Sequence, residues 1–217
     1  MKGKLLVFEG IDGSGKTTQI DLLSQSLKEK GLDFEVISFP QYGKNEYARQ
    51  IADYLAGKLG QLDEVDPYLI AKAYASDRLT AKDLINSWLE DGKLVIANRY
   101  VSASKAHLGA NLPEEKREEF FKWLDQLEYQ TNKMPREDLA ILLMVDPQIG
   151  QKNTQKDHKV DMHEKSIEHE QKAAQIYFEL SKMEENWQVL DCMENGQMKS
   201  KEEIHQDIIM KLSHLIN

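Results

Sequence analysis

Two rhythms of apolar residues alternate along the chain. Continuous apolar runs at Leu5–Phe8, Leu94–Ala97 and Leu139–Val145 predict short strands buried on both faces. Asp33–Phe39, carrying Phe34, Val36, Ile37 and Phe39, and Trp187–Asp191 predict two more strands. Between these runs the apolar positions recur at helical spacing. Ile20, Leu23 and Leu27 form one stripe, stopped by Gly31, and Tyr47, Ile51, Tyr54 and Leu55 form a second. Asp66-Pro67 reads as a cap and first turn for a helix running to about Glu90, where Gly92 ends it. Pro113 opens a helix with Phe120, Phe121, Trp123, Leu124 and Leu127. A further helix is expected from about Asp161 to Glu184, burying Ile167, Ala174, Ile176 or Tyr177, and Leu180. Ser200-Lys201-Glu202-Glu203 is a capping box for a last helix striped by Ile204, Ile208, Leu212 and Leu215.

Strands alternating with helices predict an α/β fold, a five-stranded parallel sheet with helices on both faces in a three-layer sandwich. Nothing marks a linker or a repeat, so residues 1–217 are expected to form a single domain. The polar, lysine-rich stretch at 150–160 reads either as a solvated loop or as a short lid. In such folds ligands gather at the carboxyl ends of the strands. That is where Gly10, Phe39-Pro40, Asn98-Arg99-Tyr100 and Asp146-Pro147 fall.

The first strand leads into the chemistry. Gly10-Ile11-Asp12-Gly13-Ser14-Gly15-Lys16-Thr17-Thr18 matches the phosphate-binding pattern G-x-x-x-x-G-K-[ST], with a strand before it and a helix after it. The glycines let backbone N–H groups converge on one concavity, and the helix adds its unpaired amides and positive dipole end. Lys16 offers a point charge to the outer phosphates, and the Thr17 hydroxyl is a hard oxygen ligand suited to Mg²⁺. A P-loop that binds a nucleoside triphosphate is expected.

Charge narrows the partners. The 217-residue chain has a formal net charge of −9, which repels nucleic acid and anionic membranes, so any phosphate must be met by local positive charge. The arginines are Arg49, Arg78, Arg99, Arg117 and Arg136, and their planar forks suit bidentate phosphate contacts. One cysteine, Cys192, excludes an internal disulfide and a cysteine-rich metal site. No apolar run reaches membrane-spanning length and no leader pattern is present, so a cytoplasmic protein is expected. The Asn-Lys-x-Asp element of guanine-specific switches is missing: Asn132-Lys133-Met134-Pro135 ends in proline.

Phe8–Gln19 resembles the opening signature of the thymidylate (dTMP) kinase family. The likeness extends down the chain through Phe39-Pro40, Tyr74 four residues before Arg78, Asn98-Arg99-Tyr100, and Asp161-Met162-His163-Glu164. It implies transfer of the γ-phosphoryl group of ATP to a deoxynucleoside monophosphate, dTMP foremost, with Mg²⁺ and as a homodimer. By the same resemblance Arg99 clamps the acceptor phosphate and Asp12 faces the acceptor sugar's 3′-hydroxyl. Phe39, Pro40 and Tyr74 shape an apolar base slot, with core packing as the alternative for the two aromatics. Arg78 reaches a base carbonyl or the phosphate, and Tyr42 and Arg49 lie near the acceptor. The helix with Tyr47, Ile51, Tyr54 and Leu55 reads either as a pairing surface or as core.

Three departures from the family pattern accompany the likeness. Asn98 replaces an aspartate that helps hold hydrated Mg²⁺, leaving Glu164 or Asp161 to compensate beside Thr17. The lid has no arginine, so Lys152, with Lys156 and Lys159, must supply its positive charge, and Lys152 is the catalytic candidate beside Lys16 and Arg99. Ser104 and His107 stand where the family commonly places an amide or threonine and an aromatic, and His107 reads equally as a structural histidine. The alternatives are a kinase of another deoxynucleotide or of a deoxynucleoside, with Glu9 as its base, or a catalytically weak nucleotide-binding relative.

Overall fold

The computed structural model describes residues 2–60, 64–154 and 167–212. Its main sheet is built from β1 (Lys4–Glu9), β2 (Phe34–Ser38), β3 (Leu94–Asn98), β4 (Leu139–Met144) and β5 (Trp187–Asp191). The order is β2-β3-β1-β4-β5, with every neighbouring pair parallel. The register sets Phe8 and Ser38 both opposite Asn98. The chain segments that follow β1, β2 and β3 therefore leave the sheet side by side.

Alternation along the central strand divides the core. Leu6 and Phe8 pack with Ile20, Leu23 and Leu27 of α1 (Lys16–Glu29) and with Ile204, Ile208 and Leu212 of the last helix (Lys201–Leu212). Leu5 and Val7 face the other way. They join Val101 of α5 (Val101–Gly109) and Ile176 and Tyr177 of the long helix Ile167–Met183. The capping box forms, with the Ser200 hydroxyl and the Glu203 amide paired at 3.2 Å.

Several expectations need correction. The helix expected from Asp66 to Glu90 is two, α3 (Pro67–Thr80) and α4 (Lys82–Glu90). The Thr80 hydroxyl donates to the Asp77 carbonyl at 2.7 Å, taking up a helical acceptor where α3 ends. The start of the stretch read as a loop or lid is helical: α7 spans Pro147–Thr154. Asp146 accepts from the Gln148 amide at 2.8 Å, and Pro147 sits in the first turn, so the pair read as a strand stop also starts a helix. The expected start of the next helix at Asp161 lies outside the described residues, and α8 is described from Ile167 to Met183 with Ala173 the fully buried alanine. The last helix is α9.

On α2 (Glu46–Leu55), Ile51 and Tyr54 are buried within the chain, which favours the core reading of that stripe. The helix α6 (Glu114–Asp125) passes into a wide i→i+5 turn, Gln126–Thr131, that carries Glu128 inward. After β5, a small antiparallel hairpin pairs β6 (Met193–Glu194) with β7 (Gln197–Met198). Asn195 and Gly196 form its turn, both with positive φ.

Candidate active site

The P-loop backbone explains its glycines. Gly10, Gly13 and Gly15 have φ of 140°, 72° and 88°, and Gly15 caps the start of α1. The Lys16 ammonium curls over the loop and donates to the carbonyls of Gly10 at 2.9 Å and Ile11 at 2.7 Å and to the Ser14 hydroxyl at 3.1 Å. Burial, reinforced by the nearby Arg99, pushes the Lys16 pKa down to about 7, against the pull of Asp12, Glu9 and Glu170. A cleft of about 740 Å³ opens beside the loop, reaching Thr17, Thr18, Phe39, Asn98, Arg99 and Met198.

Arg99 stands where this cleft meets an inner slot, and it lines both. Its φ of 66° turns the chain as β3 ends, so that its N–H reaches the Phe8 carbonyl at 2.9 Å. The guanidinium pairs with the Asp12 carboxylate through Nη2. Nη1 donates to His107 Nε2 at 2.7 Å and to the Tyr177 hydroxyl at 3.2 Å. The Tyr177 hydroxyl in turn donates to Glu9 at 2.9 Å, and Glu9 also accepts the Tyr100 amide at 2.9 Å. Glu9 is fully buried, and burial raises its pKa to about 7.

The slot is walled by Pro40, Tyr42, Tyr74, Ser104 and His107, with Asp12 and Arg99 at its inner end. It offers about 80 Å³, too little for a nucleobase with its walls in place. Tyr42 in its wall is 55% exposed. Phe39 is buried against Tyr100 and faces the larger cleft instead of the slot, so the core reading covers most of its surface.

Two candidates sit elsewhere than expected. Arg78 lies behind the slot wall, 1% exposed, bound through Nε to Glu128 at 2.9 Å, through Nη1 to the Tyr100 carbonyl and through Nη2 to Ser104 at 2.9 Å. It braces the slot and reaches the ligand space only through Ser104. Lys152 is exposed on α7, and the large cleft is lined by Asn153 and Thr154 instead. Asn153 donates to the Gly13 carbonyl at 3.0 Å. Once α7 is a helix, only one side of it meets the P-loop.

The metal candidates divide the same way. Thr17 and Asn98 face each other, with Asn98 Nδ2 3.4 Å from the Thr17 hydroxyl and Asn98 Oδ1 buried without a hydrogen-bond partner. The amide nitrogen faces the hydroxyl here, and with the Asn98 amide turned over its oxygen would face Thr17 and could accept from the water of a hydrated divalent cation. Glu164 lies outside the described residues.

The sequence reading missed Glu128, His169, Glu170 and Met198. Glu170 Oε2 accepts the Asp12 amide at 3.4 Å, and its pKa is raised to about 8 by burial and by Asp12. His169 stacks on His107 at 5.9 Å. Met198 hangs over the P-loop from the hairpin, its methyl 3.3 Å from where a Gly15 side chain would begin. The Asn195-Gly196 pair was the available signal for that hairpin; the two acids and His169 carry no local one.

Known proteins are similar to this chain in sequence and fold. A family model described as thymidylate kinase matches residues 8–208. A probable thymidylate kinase of Pyrococcus abyssi is 32% identical over 216 residues, covering 99% of this chain and 98% of its own. A thymidylate kinase of Mycobacterium tuberculosis is 28% identical over 183 residues, covering 82% and 85%. The solved structure of thymidylate kinase from Candida albicans superposes with a TM-score of 0.77 at 19% identity, covering 98% of this chain and 92% of that one.

Proposed function

The chain belongs to the thymidylate kinase family, and from that premise we propose that it transfers the γ-phosphoryl group of ATP to dTMP, giving ADP and dTDP. The observation that carries this reading is the position of Arg99, at the junction between the P-loop cleft and the inner slot and lining both. A cation there meets two phosphate groups brought end to end.

In the proposed reaction the P-loop amides and Lys16 hold the donor phosphates, and Arg99 grips the acceptor phosphate and offsets charge on the group in flight. Asp12 now occupies the guanidinium face that the acceptor phosphate would take. Exchange of one anion for the other frees Asp12 to accept from the acceptor's sugar hydroxyl. Tyr74 stacks on the base, and Ser104 and His107 read its polar edge and sugar. Thr17 would hold Mg²⁺ directly and Asn98 through a metal-bound water; the ion supplies charge neutralisation between the phosphates.

A deoxynucleoside acceptor would need a general base near its 5′-hydroxyl. Glu9, the candidate for that task, is fully buried and accepts from the Tyr100 amide and the Tyr177 hydroxyl, which argues against this acceptor. The formal charge of −9 argues against nucleic acid as a partner. No described helix is long and apolar enough to cross a membrane. We also propose a homodimer with a single kinase domain per chain, located in the cytoplasm. Leu69 and Leu84, each at least half exposed, are available for pairing, and light scattering tests this.

The test of the reaction is a coupled ADP-release assay with dTMP, dUMP, dCMP and thymidine at equal concentration. dTMP is expected to give the highest kcat/KM. Absence of ADP release with dTMP, or a higher value for thymidine, would overturn the proposal.

A further inference from the structure

Arg99 leaves β3 on a left-handed turn, φ 66°, which residues that carry a side chain rarely adopt. Two consecutive residues of β1 hold that turn. The Phe8 carbonyl accepts the Arg99 amide at 2.9 Å, and Glu9 Oε1 accepts the Tyr100 amide at 2.9 Å. The other carboxyl oxygen, Glu9 Oε2, accepts from the Tyr177 hydroxyl at 2.9 Å, and the Tyr177 oxygen accepts from Arg99 Nη1 at 3.2 Å. A guanidinium has donors and no acceptor, so the single hydroxyl proton of Tyr177 must go to Glu9. Glu9, Tyr100 and Tyr177 are all buried, which places these bonds away from solvent.

We propose that Glu9 is a positioning residue for Arg99: one oxygen of its carboxylate fixes the left-handed turn through the Tyr100 amide, and the other fixes the guanidinium through the Tyr177 hydroxyl. One buried group thus governs both ends of the arginine, backbone and tip. Glu9 is also the residue before Gly10, so the strand end that opens the donor loop sets the acceptor clamp as well. Both oxygens accept, so the arrangement requires an ionised carboxylate. Burial pushes the Glu9 pKa up to about 7, while Arg99, the Tyr177 hydroxyl, the Tyr100 amide and Lys16 favour the charge. A protonated Glu9 would need an acceptor of its own, and turning the Tyr177 proton aside to supply one would set it against Arg99 Nη1. Asp12 and His107 take the other guanidinium contacts. When an acceptor phosphate displaces Asp12 from Nη2, the tie through Tyr177 stays on Nη1 and keeps the clamp aimed.

This inference rests on the reading of Arg99 as the acceptor clamp, and two measurements keep the two claims apart. Glutamine offers one acceptor oxygen where glutamate offers two, so in Glu9→Gln an amide N–H replaces the acceptor of either the Tyr100 amide or the Tyr177 hydroxyl. KM for dTMP is expected to rise about fivefold or more in that variant, with KM for ATP within about twofold. Added to Arg99→Ala, the same substitution is expected to raise KM for dTMP by less than about twofold, because its effect passes through the missing guanidinium. Equal changes in both KM values, or a full further rise in the double variant, would overturn the proposal. The second measurement is amide hydrogen exchange without nucleotide in Glu9→Leu, whose side chain accepts nothing. The Tyr100 amide is expected to exchange about tenfold faster or more, relative to the Val95–Ala97 amides of the same strand. An unchanged ratio would overturn the positioning role whatever Arg99 binds. An acceptor KM unchanged in Arg99→Ala would instead remove the clamp and leave the exchange result standing.

Discussion

Gly150 of α7 lies directly on Gly13 of the P-loop. A Cβ built on Gly150 would sit 2.6 Å from the Asp12 carbonyl oxygen, and one built on Gly13 would run into the Gly150 backbone. Two backbones approach this closely only when neither carries a side chain. The contact joins the element before residues 155–166 to the loop that cradles the donor phosphates.

Gly150→Ala therefore pushes α7 off the P-loop. Gly150 has no left-handed φ to protect, so the change acts through the clash alone. KM for ATP is expected to rise about tenfold, with a smaller change for dTMP, in initial-rate kinetics with each substrate varied. Unchanged ATP kinetics would show that α7 moves aside without consequence.

Much of the donor side was legible because its causes are local. Positive φ at Gly10, Gly13 and Gly15, a lysine and a hydroxyl at fixed spacing, and a strand end all lie within nine residues, Gly10 to Thr18. Arg99 was legible for the same reason, as a cation at a buried strand's carboxyl end. What stayed hidden depends on packing between distant parts of the chain. Glu170 meets the Asp12 amide across 158 positions, and no periodicity announces such a pairing. The stripe on α8 left Ile176 and Tyr177 as alternatives; both are buried, and only the fold reveals that Tyr177 turns its hydroxyl to Glu9. Glu128 escaped because the wide turn at Gln126–Thr131 breaks the 3.6-residue phase. Lys152 lies off the cleft lining because a helix, unlike a loop, fixes which of its side chains face the P-loop.

The buried Arg78–Glu128 pair supports the slot wall. Removing one partner leaves the other charge uncompensated, so Glu128→Leu alone is expected to cost about 3–5 kcal/mol. The double variant Arg78→Met/Glu128→Leu removes both charges and is expected to recover most of that loss. Urea unfolding of the two variants checks this. Equal stability of single and double variants would mean that Glu128 stabilises by packing and not by pairing.

Asn98→Asp restores a charge beside Thr17, where the asparagine oxygen has no hydrogen-bond partner. The concentration of Mg²⁺ giving half-maximal activity is expected to fall about threefold or more. A constant or higher requirement would mean that Asn98 takes no part in holding the cation.

Glu170 gives a stability signature. Its folded pKa, raised to about 8 by burial and by Asp12, stands above the unfolded value near 4.5. Between those values the folded state keeps a proton that the unfolded state has lost, so stability falls as pH rises from 5 to 8. Glu170→Gln abolishes that titration. The melting temperature of the variant minus that of the parent is therefore expected to climb by several degrees across this window in parallel thermal melts. A flat difference would contradict a buried, neutral carboxyl group at Glu170.

Arg99 is the centre of the proposed reaction, and steady-state kinetics of Arg99→Ala with dTMP and ATP varied independently tests its role most directly. Loss of the acceptor clamp is expected to raise KM for dTMP about tenfold or more, leave KM for ATP within about threefold, and lower kcat by about a hundredfold. Equal changes in the two KM values, or a kcat near that of the parent, would contradict the claim that this guanidinium brings the two nucleotides together.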